Sequence, residues 1–144
     1  MKTITTLLVV GMFLTPVAVA DDADDVKAAF LDFYASLRSG DVDGYMQHFS
    51  ASGATAFETE GGLLSASTLE ELRRNRQAAA NGGNNPNVQL RNLEVRVYGN
   101  TAVLTGYRVS PGNPGVARYT NVWVKQGGTW KRVHRHASPL KLPQ

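Results

Sequence analysis

The chain has 144 residues, no cysteine and a formal net charge of +3, with 19% charged and 42% hydrophobic residues. The missing cysteines exclude disulfide staples and thiolate metal sites, and the length suits one ordinary domain that buries its own core. The basic residues are scattered apart from Arg73-Arg74-Arg76 and Lys131-Arg132-Arg135, which read as solvated faces; without a sustained basic stripe or recognition motif, nucleic acid is not an expected partner.

Residues 1–20 carry the marks of a signal peptide. Lys2 supplies the positive charge, Leu7 to Val19 is apolar apart from Thr15 and Pro16, and Ala18-Val19-Ala20 fits the small-x-small cleavage rule. The run is too short to span a bilayer, Asp21, Asp22, Asp24 and Asp25 follow at once, and no cysteine is present for a lipid anchor. The expectation is a periplasmic or secreted protein, free of the membrane after cleavage, with residues 21–144 as a single domain.

The first helix is marked by Val26, Ala29, Phe30, Phe33 and Leu37, an apolar stripe at helical period. Asp21 to Asp25 place negative charge at its electropositive start, and Gly40 stops it. A short second helix follows, capped by Asp41 or Asp43, with Tyr45, Met46 and Phe49 turned inward. Ala54 to Glu58 reads as a short strand and Gly61-Gly62 as a turn. Ser67-Thr68-Leu69-Glu70 has capping-box spacing, with Ser67 and Glu70 as the reciprocal pair, so a third helix is predicted from Thr68 to Ala80. Asn81 to Pro86 is too rich in Gly, Asn and Pro to continue it.

Four strands complete the chain: Asn92 to Tyr98, Thr101 to Val109, Arg118 to Lys125 and Thr129 to Ala137. Gly99-Asn100 and Gln126-Gly127-Gly128 supply tight turns, and Pro111 to Gly115 a looser link. Alternation puts Tyr119, Asn121 and Trp123 on one face of the third strand and Thr120, Val122 and Val124 on the other. His134, His136 and Ser138 likewise share a face. Helices can cover only one side of such a sheet, and the other is apolar enough to predict a homodimer on it. Helices first and a meander second is the α+β order.

These residues resemble a known family. Gly40-Asp41, Tyr45, Thr55-Ala56-Phe57-Glu58 and the ending Trp123…Gly128-Thr129-Trp130-Lys131-Arg132-Val133-His134-Arg135-His136-Ala137-Ser138 are similar to the SnoaL-like branch of the nuclear-transport-factor-two-like superfamily. Within it the chain resembles the association (hub) domain of calcium/calmodulin-dependent protein kinase type II and its stand-alone bacterial relatives, from about Asp25 to Pro139. The resemblance implies an α+β, cone-shaped fold: three N-terminal helices packed in the concave face of a strongly bent, mainly antiparallel sheet, with a pocket between them. It also implies dimers or rings of dimers. It implies no kinase activity, since no phosphate loop or catalytic-loop motif is present. Tyr45 and Arg108 match a pocket tyrosine and arginine of the hub. Two further pocket arginines would fall on Asn121 and Ala137, and a pocket histidine near Glu70. One arginine in place of three attracts anions weakly, so the expected ligand is a small, apolar molecule with a polar end.

Within that frame Tyr45, Arg108 and Asn121 would hold the polar end, Glu58 would stand near them, and Tyr119 and Trp123 would form an apolar wall. The competing role for Arg108 is an internal ion pair with Glu58 or Glu70, and for Tyr45 a place in the core. His134 and His136 could face a metal together, but only His48 remains as a third imidazole, so no metal and no cofactor is expected. Glu58 and Glu60, on either side of Thr59, are not read as an acid pair. The aspartates crowd into residues 21–43, which disfavours an isomerase base on the sheet. No catalytic residue is assigned. Three functions stay open: a binding module; an isomerase, cyclase or hydratase using Glu58, Glu70 or a histidine as base; and a pure assembly part.

Overall fold

The computed structural model describes residues 21–58, 62–110 and 115–140. The expected signal peptide and the residues Pro111–Pro114 of the looser link lie outside them.

Helix α1 spans Asp22–Ser39. Asp21 caps it by accepting from the Ala23 amide at 3.3 Å, three further aspartates occupy the first turn, and Gly40 ends it in the left-handed region at φ 75°. Its stripe buries Val26, Phe30, Phe33 and Tyr34. Helix α2, Val42–Met46, is capped by Asp41, whose Oδ1 accepts from the Gly44 amide at 2.9 Å. Asp43 is thereby freed to pair with Arg73 at 2.6 Å.

Strands β1 (Ala54–Phe57) and β2 (Ser65–Ser67) form an antiparallel pair that leads into α3, Leu69–Asn81. The capping box lies one residue later than the sequence spacing suggested: Thr68 Oγ1 accepts from the Glu71 amide at 3.2 Å, and Glu71 Oε2 from the Thr68 amide at 2.9 Å. The physical reason is that Ser67 is held in β2 opposite Ala54, so the backbone cannot turn helical before Thr68. Gly53 at φ 83° allows the close turn here, since a Cβ would strike the Ser67 carbonyl.

The meander follows as β3 (Gln89–Tyr98), β4 (Thr101–Val109), β5 (Val116–Gln126) and β6 (Thr129–Pro139). One six-stranded sheet results, ordered β2-β1-β6-β5-β4-β3, antiparallel except where β1 joins β6 in parallel. The fold is α+β, and the helices lie on the concave face of a curved, unclosed sheet. β3 begins three residues before the predicted strand because Leu90 is displaced from the later alternation by a bulge between Arg91 and Glu94, where Asn92 has φ 50°.

The core joins α1 to the middle of β5. Phe30 meets Tyr34 at 5.0 Å and Trp123 at 6.3 Å between ring centroids, both edge-on, and Phe33 packs edge-on to Phe49 at 5.9 Å. Trp123 has no exposed surface.

Arg76 departs from the expected solvated face. It is buried on α3, donating to the Asn84 carbonyl at 3.3 Å, to the Leu37 carbonyl at 3.4 Å and to Asn85 Oδ1. Its guanidinium ties the end of α3 to the end of α1, which the chain pattern alone does not reveal.

Candidate functional site

A second bulge shapes the site. Val122 pairs with His134, but Trp123 pairs with Arg132, so Val133 is an extra residue on β6. Before it Trp130 and Arg132 point into the concave face; after it Arg135 and Ala137 do. Two arginines three residues apart thus reach the same side of one strand, which unbroken alternation forbids. Both belong to a group that the sequence reading placed in solvent. Arg132 instead is 6% exposed.

Above this strand lies a hollow of about 100 Å³ between helices and sheet. Tyr45 of α2, Leu72 of α3, Ala56, Glu58 and Ser65 of the β1–β2 hairpin, and Arg132 and Arg135 of β6 line it. The Arg132 guanidinium sits in the corner of two edge-on rings, 4.2 Å from the Phe33 ring centroid and 4.5 Å from that of Phe49. Its Nε and Nη1 have no hydrogen-bond partner. Arg135 pairs with Glu58 at the rim and approaches the Tyr119 hydroxyl at 3.5 Å, leaving its Nε bare. Burial draws Arg135 below its ordinary value, but a guanidinium so far from neutrality stays charged at physiological pH.

Deeper in the sheet, Tyr119, Asn121 and Trp123 stand on the inner face of β5, as alternation predicted. Asn121 has no exposed surface, and neither atom of its amide is hydrogen-bonded. An unsatisfied buried amide costs about 1–3 kcal/mol. Burial, followed by its neighbour Tyr119, pushes the Tyr34 phenol well above its ordinary value, so it keeps its proton.

The structure brings Tyr45 and Glu58 together on the hollow, with Tyr119 and Asn121 behind Arg135, the register partner of Asn121. Arg108 does not border it. Its guanidinium lies over the Tyr119 ring at 5.4 Å, and neither suggested carboxylate pairs with it: Glu58 is held by Arg135, and Glu70 faces Arg74 at 3.9 Å. Glu70 is exposed at the start of α3. His48 is buried apart from the hollow, with Nε2 3.0 Å from Asp32 Oδ2; burial lowers its pKa against the pull of that carboxylate. His134 and His136 are on the opposite sheet face. Of the bases proposed from sequence, Glu58 is the one that the hollow contains. Among the described residues no cluster of three or more His, Asp or Glu could hold a metal.

The model of the SnoaL-like domain matches residues 26–141. The chain belongs to this SnoaL-like family. No curated protein has a sequence that matches it. Among solved structures, this SnoaL-like chain is similar to a protein of unknown function of the DUF3225 family from Pectobacterium atrosepticum. That match has 27% identity and a TM-score of 0.69 over 85% of this chain and 94% of the other. It is similar also to the CaMKII hub of S. rosetta, at 27% identity and TM-score 0.66 over 85% and 99%. A member of the NTF2-like family from Streptomyces avermitilis, provisionally named a dehydratase, matches at 22% identity and TM-score 0.68 over 84% and 97%, a likeness of fold.

The residues that sequence reading missed are Arg132 and Arg135. Their only sequence signal was the odd spacing of two basic residues across Val133 in an otherwise alternating strand, legible once a bulge is assumed.

Proposed function

We propose that this chain is an exported, self-associating binding module whose hollow takes a small carboxylate with an apolar body. One observation carries the proposal: Arg132 and Arg135, which line the hollow, keep buried N–H groups with no hydrogen-bond partner, and the amide of Asn121, the register partner of Arg135, is unpartnered as well. A carboxylate would satisfy fixed guanidinium donors through charge-assisted hydrogen bonds. The rings of Phe33 and Phe49 hold Arg132 in place, so little side-chain entropy is lost on binding. Tyr45 and Leu72 offer the apolar body a wall, and Glu58 competes with the ligand for Arg135 at the rim.

Self-association is drawn from the outer sheet face, where no layer of the described residues covers Phe57, Val103, Thr120, Val122 and Val124, and from likeness to the S. rosetta CaMKII hub. Export is drawn from residues 1–20.

Native mass spectrometry of the protein recovered from the exported fraction of its own host tests the ligand. A retained small acid is expected. An empty protein that also gives no heat with a panel of short aliphatic and aromatic carboxylates would refute the binding reading.

A further inference from the structure

We propose that the outer sheet face is a proton-gated contact, on which protonation of His134 and His136 separates two copies of this chain. The inference rests on the proposal above that copies meet on this face.

Parallel pairing of β1 with β6 sets Thr55 opposite His134 and Phe57 opposite His136. The Thr55 hydroxyl and His134 Nδ1 lie 2.8 Å apart, which fixes that ring on the outer side. The Phe57 ring stands edge-on to both imidazoles, at 6.0 Å from His134 and 5.6 Å from His136. On the other flank, β5 presents Val122 opposite His134 and Thr120 opposite His136. Hydroxyls and hydrocarbon therefore surround two adjacent imidazoles.

Nothing described on the neighbouring strands compensates a proton there. Next to β1, Glu58 is the carboxylate among the described residues, and Arg135 holds it on the inner side. On β5 the charged outer residue is Arg118, opposite Ser138 of the histidine strand. The outer positions of β4 are Thr101, Val103, Thr105, Tyr107 and Val109, all uncharged. Glu94 is the outer-face carboxylate among the described strand residues, and it lies on β3, three strands away, between Arg91 and Arg96. Burial lowers the His134 pKa already, and the neighbouring His136 adds to this.

A second copy placed on the face removes water from these rings and brings like imidazoles towards one another. The neutral rings tolerate that; a protonated ring then lacks both water and counter-charge. Protonation therefore favours the separated state. Since the contact lowers the histidine pKa further, association is complete above the free-chain value and is lost as pH falls through it.

Sedimentation velocity of the protein from about pH 8 to about pH 5 at fixed ionic strength tests this, with a His134→Gln/His136→Gln variant alongside. The dissociation constant of the native chain is expected to rise at least about tenfold on acidification, the equivalent of one unit of pKa displacement, while the variant stays associated throughout. A native dimer that ignores pH, or a variant that dissociates with the native profile, overturns the gating and leaves the contact standing. A native chain that is monomeric at about pH 8 removes the contact itself, and the gating with it.

Discussion

The two faces of the sheet use polar groups in opposite ways. On the outer face the polar side chains are mostly hydroxyls and imidazoles, and His134 Nδ1 is already paired with the Thr55 hydroxyl. On the inner face Arg132, Arg135 and Asn121 retain unpartnered atoms, as do the indoles of Trp123 and Trp130. A face built only for stability would show the reverse order, since burial raises the cost of every bare donor. Under the proposed function the outer surface meets a second copy and the inner one receives the ligand.

The largest test of this contrast compares neighbours that point to opposite sides. Trp123→Ala, on the inner side, should lower unfolding free energy by about 3–5 kcal/mol in urea denaturation, because the indole packs against Phe30 with no exposure. Val122→Thr, immediately before it on the outer side, should cost the monomer under about 1 kcal/mol. Equal losses would mean that the outer layer is as much a core as the inner one.

Arg132→Met keeps much of the volume packed against Phe33 and Phe49 and removes the charge. Carboxylate affinity by titration calorimetry should fall roughly tenfold to a hundredfold, the equivalent of about 1.5–3 kcal/mol for a charge-assisted bond, with the fold retained by circular dichroism. Unchanged affinity would move the anion site away from β6.

Asn121→Leu offers a subtler measurement. Replacing a bare amide by hydrocarbon of similar volume should raise stability by about 1 kcal/mol, read from the urea midpoint. It should also weaken ligand binding if the amide receives the inner end of the ligand. A variant less stable than the native chain would show that the amide already has a structural partner.

Much of the fold was legible from pattern. The α1 stripe, the Gly40 stop, the four-strand meander and the inner row Tyr119-Asn121-Trp123 follow from periods of 3.6 and 2 and from turn chemistry. The departures cluster where a backbone irregularity resets the period. The capping box slid to Thr68 because Ser67 was engaged in β2, and the Asn92 bulge carried β3 back to Gln89.

The chemical content of the hollow depended on the same kind of event. Local sequence determined the elements apart from β2, their order and most of which side each residue takes, because alternation and capping act between near neighbours in the chain. Only tertiary structure decided that Val133 is extruded, that Arg132 turns inward against Phe33 and Phe49, and that Arg135 finds Glu58. These outcomes depend on strands β1 and β6, some eighty residues apart, being fitted side by side. A bulge is settled by what must pack on both sides of it, and that information is spread across the whole fold.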